Sequence, residues 1–310
     1  MMPCKLARER GQSMVVVALL MLVLVGFLAM VVDVGNVYAQ RRFMQNAADA
    51  GALAGARALA LNQNPVPVVE QYAKTLNGAQ VCETTVVSPS VYVTVSKTCP
   101  TYFASVIGYP RFVVQASAQA RFSAPSTWGN SDLVPVAVHK DAIRYSPAQT
   151  LIWDSSTTDD VPKNPDDYPV GWNPATDYVA HGAQRGWLDL DRDGSLSDAE
   201  LKNWIQFGFH GQPIRVGDWI PGDPGSRSSA LQAMNDYRKI PGEVVICPVY
   251  DDYKDSKFHV CSFAAFEVTA VNWKGYFKYI LGNFKYYVAP EDQEGGGSYD
   301  AGVRVIDLVQ

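Results

Sequence analysis

Residues 189–200 read Asp189-Leu190-Asp191-Arg192-Asp193-Gly194-Ser195-Leu196-Ser197-Asp198-Ala199-Glu200. Carboxylates at the first, third, fifth and last places of such a run, with glycine at the sixth, follow the spacing by which an EF-hand-like loop wraps calcium. A hard dication needs six to eight oxygens at about 2.3–2.6 Å. Alternate aspartates in a tight turn converge on one point, and Gly194 allows the left-handed bend. Ser195 offers its carbonyl, and Glu200 closes the sphere with both oxygens. The expected metal ligands are therefore Asp189, Asp191, Asp193, Ser195 and Glu200, holding a structural Ca2+. A metal-free reading competes, because Ser197 to Glu200 is also a capping box opening a helix whose apolar face is Leu201, Trp204 and Ile205. Gly182 and Gly186 interrupt the stretch before the loop, so no entering helix is expected and the site would be solitary.

Other reactive side chains are sparse. Cys4 lies near the N-terminus, whereas Cys82, Cys99, Cys247 and Cys261 lie in the body of the chain. Two disulfides are expected there, with local pairing of Cys82 with Cys99 and of Cys247 with Cys261 favoured by the short loops; free buried thiols are the alternative. His139, His181, His210 and His259 are scattered and lack metal-ligand spacing. Asp154-Ser155-Ser156-Thr157-Thr158 only loosely follows the metal-adhesion motif of von Willebrand A domains. No nucleophile elbow or phosphate loop occurs, so neither catalysis nor a small-molecule substrate is expected. A net charge of -5 supplies no basic field for nucleic acid.

These residues must be positioned by elements, and the first element is decisive. Met14 to Val32 contains no charged residue. At about 1.5 Å per residue it reaches close to the ~30 Å hydrocarbon thickness as a helix, which satisfies its own backbone in lipid. Lys5, Arg8 and Arg10 precede it and Asp33 follows it, so the positive-inside bias places the N-terminus in the cytoplasm and the rest outside. A signal peptide cut after Val37-Tyr38-Ala39 is the competing reading, with an apolar region longer than usual for that class. Helical spacing then continues through Val37, Met44, Ala48, Gly51, Gly55 and Ala58, a face of mostly small residues that admits another backbone closely. That backbone belongs either to the protein's own domain or to another helix.

The run Arg10-Gly11-Gln12-Ser13, the apolar helix, Val32-Asp33-Val34-Gly35-Asn36-Val37-Tyr38 and Gln45-Asn46-Ala47-Ala48-Asp49-Ala50-Gly51-Ala52-Leu53-Ala54-Gly55-Ala56 resembles the N-terminal region of TadE/TadG-like Flp pilus assembly proteins. The resemblance covers about the first sixty residues closely. It implies a membrane-anchored, pilin-like helix in the Tad machinery, with other Tad pilus or pseudopilin components and the lipid bilayer as partners. Prepilins carry a glutamate five residues after the processing glycine, and Val16 stands there after Gly11. The resemblance therefore fits the TadG-like branch, whose N-terminal helix is kept as an anchor.

Downstream, Pro65 and Pro67 are expected to end the long helix, Val68 to Leu76 to form a second, and Val86–Val87, Val91–Val95 and Phe112–Phe122 to form strands, with a helical turn at Tyr102–Ile107. Strands are also expected at Leu133–Val138, Thr150–Trp153, Val244–Tyr250, Phe258–Val271, Tyr276–Leu281 and Val303–Leu308, the last returning to the same sheet. Glu291 to Ser298 is expected to be a flexible tip. The aromatic and lysine mixture of Trp273–Tyr287 suits a half-solvated sheet. The fold class is α+β: cytoplasmic residues 1–13, a transmembrane helix 14–32, a pilin-like helix with a small α/β unit at 33–125, and a β-rich exported domain at 126–310. The function expected is pilus assembly by protein contact at the inner membrane, or alternatively calcium-dependent surface adhesion; an anchored hydrolase has no residues to carry it.

Overall fold

The computed structural model describes residues 12–129, 133–145, 150–153, 178–180, 185–225, 227–274 and 278–309. Helix α1 (Gln12–Ala60) is 49 residues long and opens with the apolar stretch. Leucine, methionine and alanine favour the helical state throughout, and no proline interrupts it. Among the described residues it is the one helix long and apolar enough to cross a membrane. The fold is mixed α and β, β-rich beyond this helix, and divides into two compact units.

The first unit comprises Met1–Gly55, Asn64–Ala120 and Leu308–Gln310. Helix α2 (Pro65–Glu70) runs on into a π-helical stretch, Gln71–Leu76. The prolines expected to terminate α1 instead begin α2: the Asn64 side chain accepts from Val66 N–H at 3.1 Å, and Pro65 occupies the first turn, where its missing N–H costs nothing. Strands β1 (Val81–Val87) and β2 (Ser90–Pro100) form an antiparallel hairpin from Val81↔Ser96 to Val87↔Ser90, and β3 (Arg111–Pro125) follows. Alternation buries Val91, Val93 and Val95 on one face of β2. The small-residue face of α1 meets that face. A Cβ on Gly55 would lie 2.5 Å from Val69 Cγ2 and 3.0 Å from Val91 Cγ1, and one on Gly51 would lie 3.4 Å from Ala73 Cβ. Its partner is thus the protein's own unit.

The second unit comprises Ala56–Gln63 and Arg121–Asp307. Its strands are β4 (Thr127–Trp128), β5 (Val136–His139), β6 (Thr150–Trp153), β7 (Tyr178–Ala180), β8 (Arg185–Leu188), β9 (Ile214–Arg215), β10 (Trp219–Asp223), β11 (Val245–Lys254), β12 (Lys257–Asn272), β13 (Tyr279–Lys285), β14 (Tyr287–Val288), β15 (Gly295–Gly297) and all but the last two residues of β16 (Val303–Val309), with helices α3 (Asp198–Phe207) and α4 (Ser228–Ala233). Eight of these strands form one sheet in the order β10-β8-β5-β11-β12-β13-β6-β7. β10 also pairs with β12, which closes the first five into a ring. Phe258 fills that ring, occupying the space a Cβ on Gly186 or Gly222 would need.

Two expectations for the C-terminal segment are corrected. β16 does not join the eight-stranded sheet but pairs in parallel with β14. Residues 291–298 are tied down rather than a free tip: Gln293 is buried and exchanges hydrogen bonds with both backbone groups of Gly129, at 3.0 and 3.2 Å, and Ser126 N–H donates to the Glu294 carbonyl at 2.8 Å. The glycines that suggested flexibility let β15 lie close against the end of β3, with Gly295 opposite Pro125.

Candidate functional site

The acidic loop hangs from the closed ring. β8 ends at Leu188, Asp189 N–H donates to the Pro221 carbonyl in β10 at 2.9 Å, and Leu190 is buried. From there the chain turns through two left-handed residues, Arg192 (φ 63°) and Gly194 (φ 86°). Carboxylates organise the turn. Asp189 accepts from Arg192 N–H at 3.1 Å and Gly194 N–H at 3.0 Å, Asp191 from Asp193 N–H at 3.4 Å, and Asp193 from Ser195 N–H at 2.7 Å. Carboxylate oxygens of Asp189, Asp191 and Asp193 thereby lie within 4.8 Å of one another. Burial, with Asp191 beside it, pushes the Asp189 carboxyl up to about 6, against the backbone donors that favour its charged form. Three carboxylates so placed fit a cation, which would neutralise their mutual repulsion.

Glu200 is placed differently. Its carboxylate accepts from Ser197 N–H at 2.9 Å and Ser197 Oγ–H at 2.8 Å, while Ser197 Oγ accepts from Glu200 N–H at 3.2 Å, a complete capping box. Of the five residues expected to hold Ca2+, the structure gathers the side chains of three; Ser195 is exposed beside them, and Glu200 faces the cap. Leu201, Trp204 and Ile205 are buried, with Trp204 edge-on to Phe209 at 5.5 Å, so α3 is held by its apolar face. Sequence reasoning missed the bracing around the loop. Arg192 is paired with Asp218, and Arg227 reaches Asp198 at 3.3 Å, Asp223 at 3.1 Å and the Leu196 carbonyl at 3.1 Å. These arginines lie far along the chain or inside the motif itself, and no spacing rule marks them.

All four body cysteines are free thiols, and the local pairing expected for them is not formed. The ladder registers explain why. Cys82 faces Val95, several rungs from Cys99, and Cys247 faces Ala264 rather than Cys261. A disulfide needs Cα atoms about 4.4–6.8 Å apart, less than those offsets leave. Burial pushes the Cys247 and Cys261 thiols up to about 12, so they behave as small apolar residues. The Asp154–Thr158 run lies outside the described residues.

A second polar cluster lies at the end of the apolar stretch. Asp33 is buried, and its carboxylate accepts from the backbone N–H groups of Tyr102 (2.7 Å), Phe103 (2.9 Å) and Ala104 (2.6 Å). These open the 3₁₀ turn Ala104–Ile107, which Gly108 ends in the left-handed region at φ 94°. Asp33 thus caps a turn 70 residues away and ties the long helix to its own unit. In the sequence it stood out only as the first charge after the apolar run.

Neither a curated protein nor a solved structure matches the chain. The stretch from Gly11 to Ala58, holding the apolar helix, Asp33 and the small-residue face, does match: residues 11–58 fit the family model Tad, described as putative Flp pilus-assembly TadE/G-like.

Proposed function

We propose that this protein is a membrane-anchored component of a Tad-type Flp pilus assembly system, of the TadG-like branch, that works by contact with other pilus components rather than by catalysis. The observation carrying this reading is that the family match coincides with α1 over both its halves. The outer half packs its small-residue face on the protein's own unit. The apolar half stays exposed and free to meet lipid and neighbouring helices. The N-terminus lies in the cytoplasm and the folded units outside, on the charge asymmetry around the apolar stretch. The helix is retained, since removal before Gln40 would take Asp33 away from the three N–H groups it caps.

The acidic loop serves as a solitary structural Ca2+ site in this reading, supported by the convergence of Asp189, Asp191 and Asp193 and by the raised Asp189 carboxyl. Ser195 and Glu200 complete the ligand set once Glu200 leaves its cap. Outside a cell, an affinity of about 10⁻⁴–10⁻³ M suffices for such a role.

Deleting the gene in its own host and imaging the cells tests the proposal. Loss of pili, restored by the full chain, is expected, together with co-purification of pilus components. Normal pili with lost attachment to surfaces would overturn assembly in favour of adhesion.

A further inference from the structure

Beside the apolar half of α1 lies a segment that the anchor alone does not account for. Residues 98–110 read Thr-Cys-Pro-Thr-Tyr-Phe-Ala-Ser-Val-Ile-Gly-Tyr-Pro and contain no charged side chain; Lys97 and Arg111 flank them. Their large apolar side chains face outward: Val106 is 85% exposed and Ile107 74%, with Tyr102, Phe103 and Tyr109 also exposed. Water is a poor medium for so continuous an apolar surface.

The surface continues directly onto the anchor. A groove of about 890 Å³ is lined on one side by Leu22, Val25 and Met30 of α1 and on the other by Val106, Ile107 and Phe112. Leu22 precedes Asp33 by eleven residues, so the groove extends roughly 16 Å along the helix from the Asp33 clamp into the apolar stretch. Past Asp33 along α1 it is lined by Tyr38 and Arg41, the amphipathic and cationic residues that settle at a membrane–water boundary.

A non-helical segment enters lipid only if its backbone donors are engaged. Here they are. Asp33 takes the N–H groups of Tyr102, Phe103 and Ala104. Val106, Gly108 and Tyr109 donate to Phe103, Ser105 and Ala104 carbonyls at 3.0–3.2 Å, and Thr101 Oγ–H donates to the Tyr109 carbonyl at 2.6 Å. Pro110 has no donor to satisfy.

We propose that the loop at 102–109 is a second membrane contact, inserting Val106 and Ile107 among the acyl chains of the leaflet next to the folded units, with lipid filling the groove between loop and helix. The proposal rests on the anchor reading, since it is the helix that brings the loop to the bilayer. Insertion at a second point fixes the rotation of α1 in the membrane and leaves the helix surface away from the loop for other helices.

The test is site-specific photocrosslinking of the full chain in phosphatidylcholine–phosphatidylglycerol vesicles. p-Benzoylphenylalanine replaces Ile107, Phe103, Leu22 or Val87 in turn, and adducts are identified by mass. Lipid adducts are expected at Ile107, Phe103 and Leu22 and not at Val87, an exposed residue of the β1–β2 hairpin. Lipid adducts at Leu22 but none at Ile107 and Phe103 would overturn loop insertion while leaving the anchor intact. Adducts from Ile107 to a second copy or to another protein would overturn lipid as the occupant. No lipid adduct at Leu22 would instead remove the anchor on which both rest.

Discussion

Asp189, Asp191 and Asp193 bring their carboxylate oxygens within 4.8 Å of one another, and a bound cation would relieve the repulsion between them. Calcium at tenfold excess over its dissociation constant should therefore stabilise the protein by about 1.4 kcal/mol, a rise in melting temperature of roughly 2–4 °C. The Asp193→Ala, Glu200→Ala variant should lose the response; an unchanged response in calorimetry would remove the metal from the account. Ser197→Ala separates the cap from the metal: it should cost about 1 kcal/mol without calcium and less with calcium bound, when Glu200 has already left the cap. A different carboxylate gives a pH signature. Glu267 is held below the usual carboxylate range, first by Lys285 at 2.8 Å and then by Gly242 N–H at 3.0 Å. A depressed folded value stabilises above the ordinary value of 4.5 and is lost as pH falls through the folded one. Glu267→Gln should thus destabilise the protein at pH 7 by less than about 1 kcal/mol for so exposed a lysine partner, read as a slightly lower melting temperature, with the difference shrinking as pH falls through the depressed folded value. The gathering of Asp189, Asp191 and Asp193 was legible in the chain because they alternate within one short turn; that Glu200 turns to Ser197 was not, since Ser197 to Glu200 fits both a capping box and the end of such a loop.

At the scale of elements, α1 depends on two close approaches. Gly55 admits Val69 and Val91, so Gly55→Leu should destabilise the protein by about 2 kcal/mol, read as a drop in melting temperature. The other is Arg304, which donates to the Ala60 carbonyl at the end of α1 at 2.6 Å, pairs with Asp300 at 2.8 Å and stacks over Phe122 at 4.3 Å and Tyr286 at 4.7 Å. Lysine supplies the charge but neither the planar stack nor the fork. Arg304→Lys should cost about 1–2 kcal/mol in the same measurement. The longer strands and helices were readable, because valine alternation and the 3.6-residue period come straight from burial on one face, whereas the short strands β8 and β10 of the ring and helix α4 span too few residues to show a period. Cysteine pairing was not, since it depends on strand register, which places Cys82 opposite Val95 and Cys247 opposite Ala264. The glycine run at 295–297 misled for the opposite reason: lacking side chains, it allows a tight pairing as readily as disorder.

Over the whole molecule, the apolar half of α1 suggests a membrane anchor, and the pilus reading depends on it. Its composition made that legible at once, whereas Asp33 as a long-range cap required the fold to bring residues 102–104 to it. The most direct test is alkaline carbonate extraction of membranes from cells expressing the intact chain, followed by immunoblotting. The protein should remain in the lipid pellet at its full mass. Recovery of the uncut chain in the aqueous supernatant would contradict the anchor and, with it, the assignment to the pilus machinery.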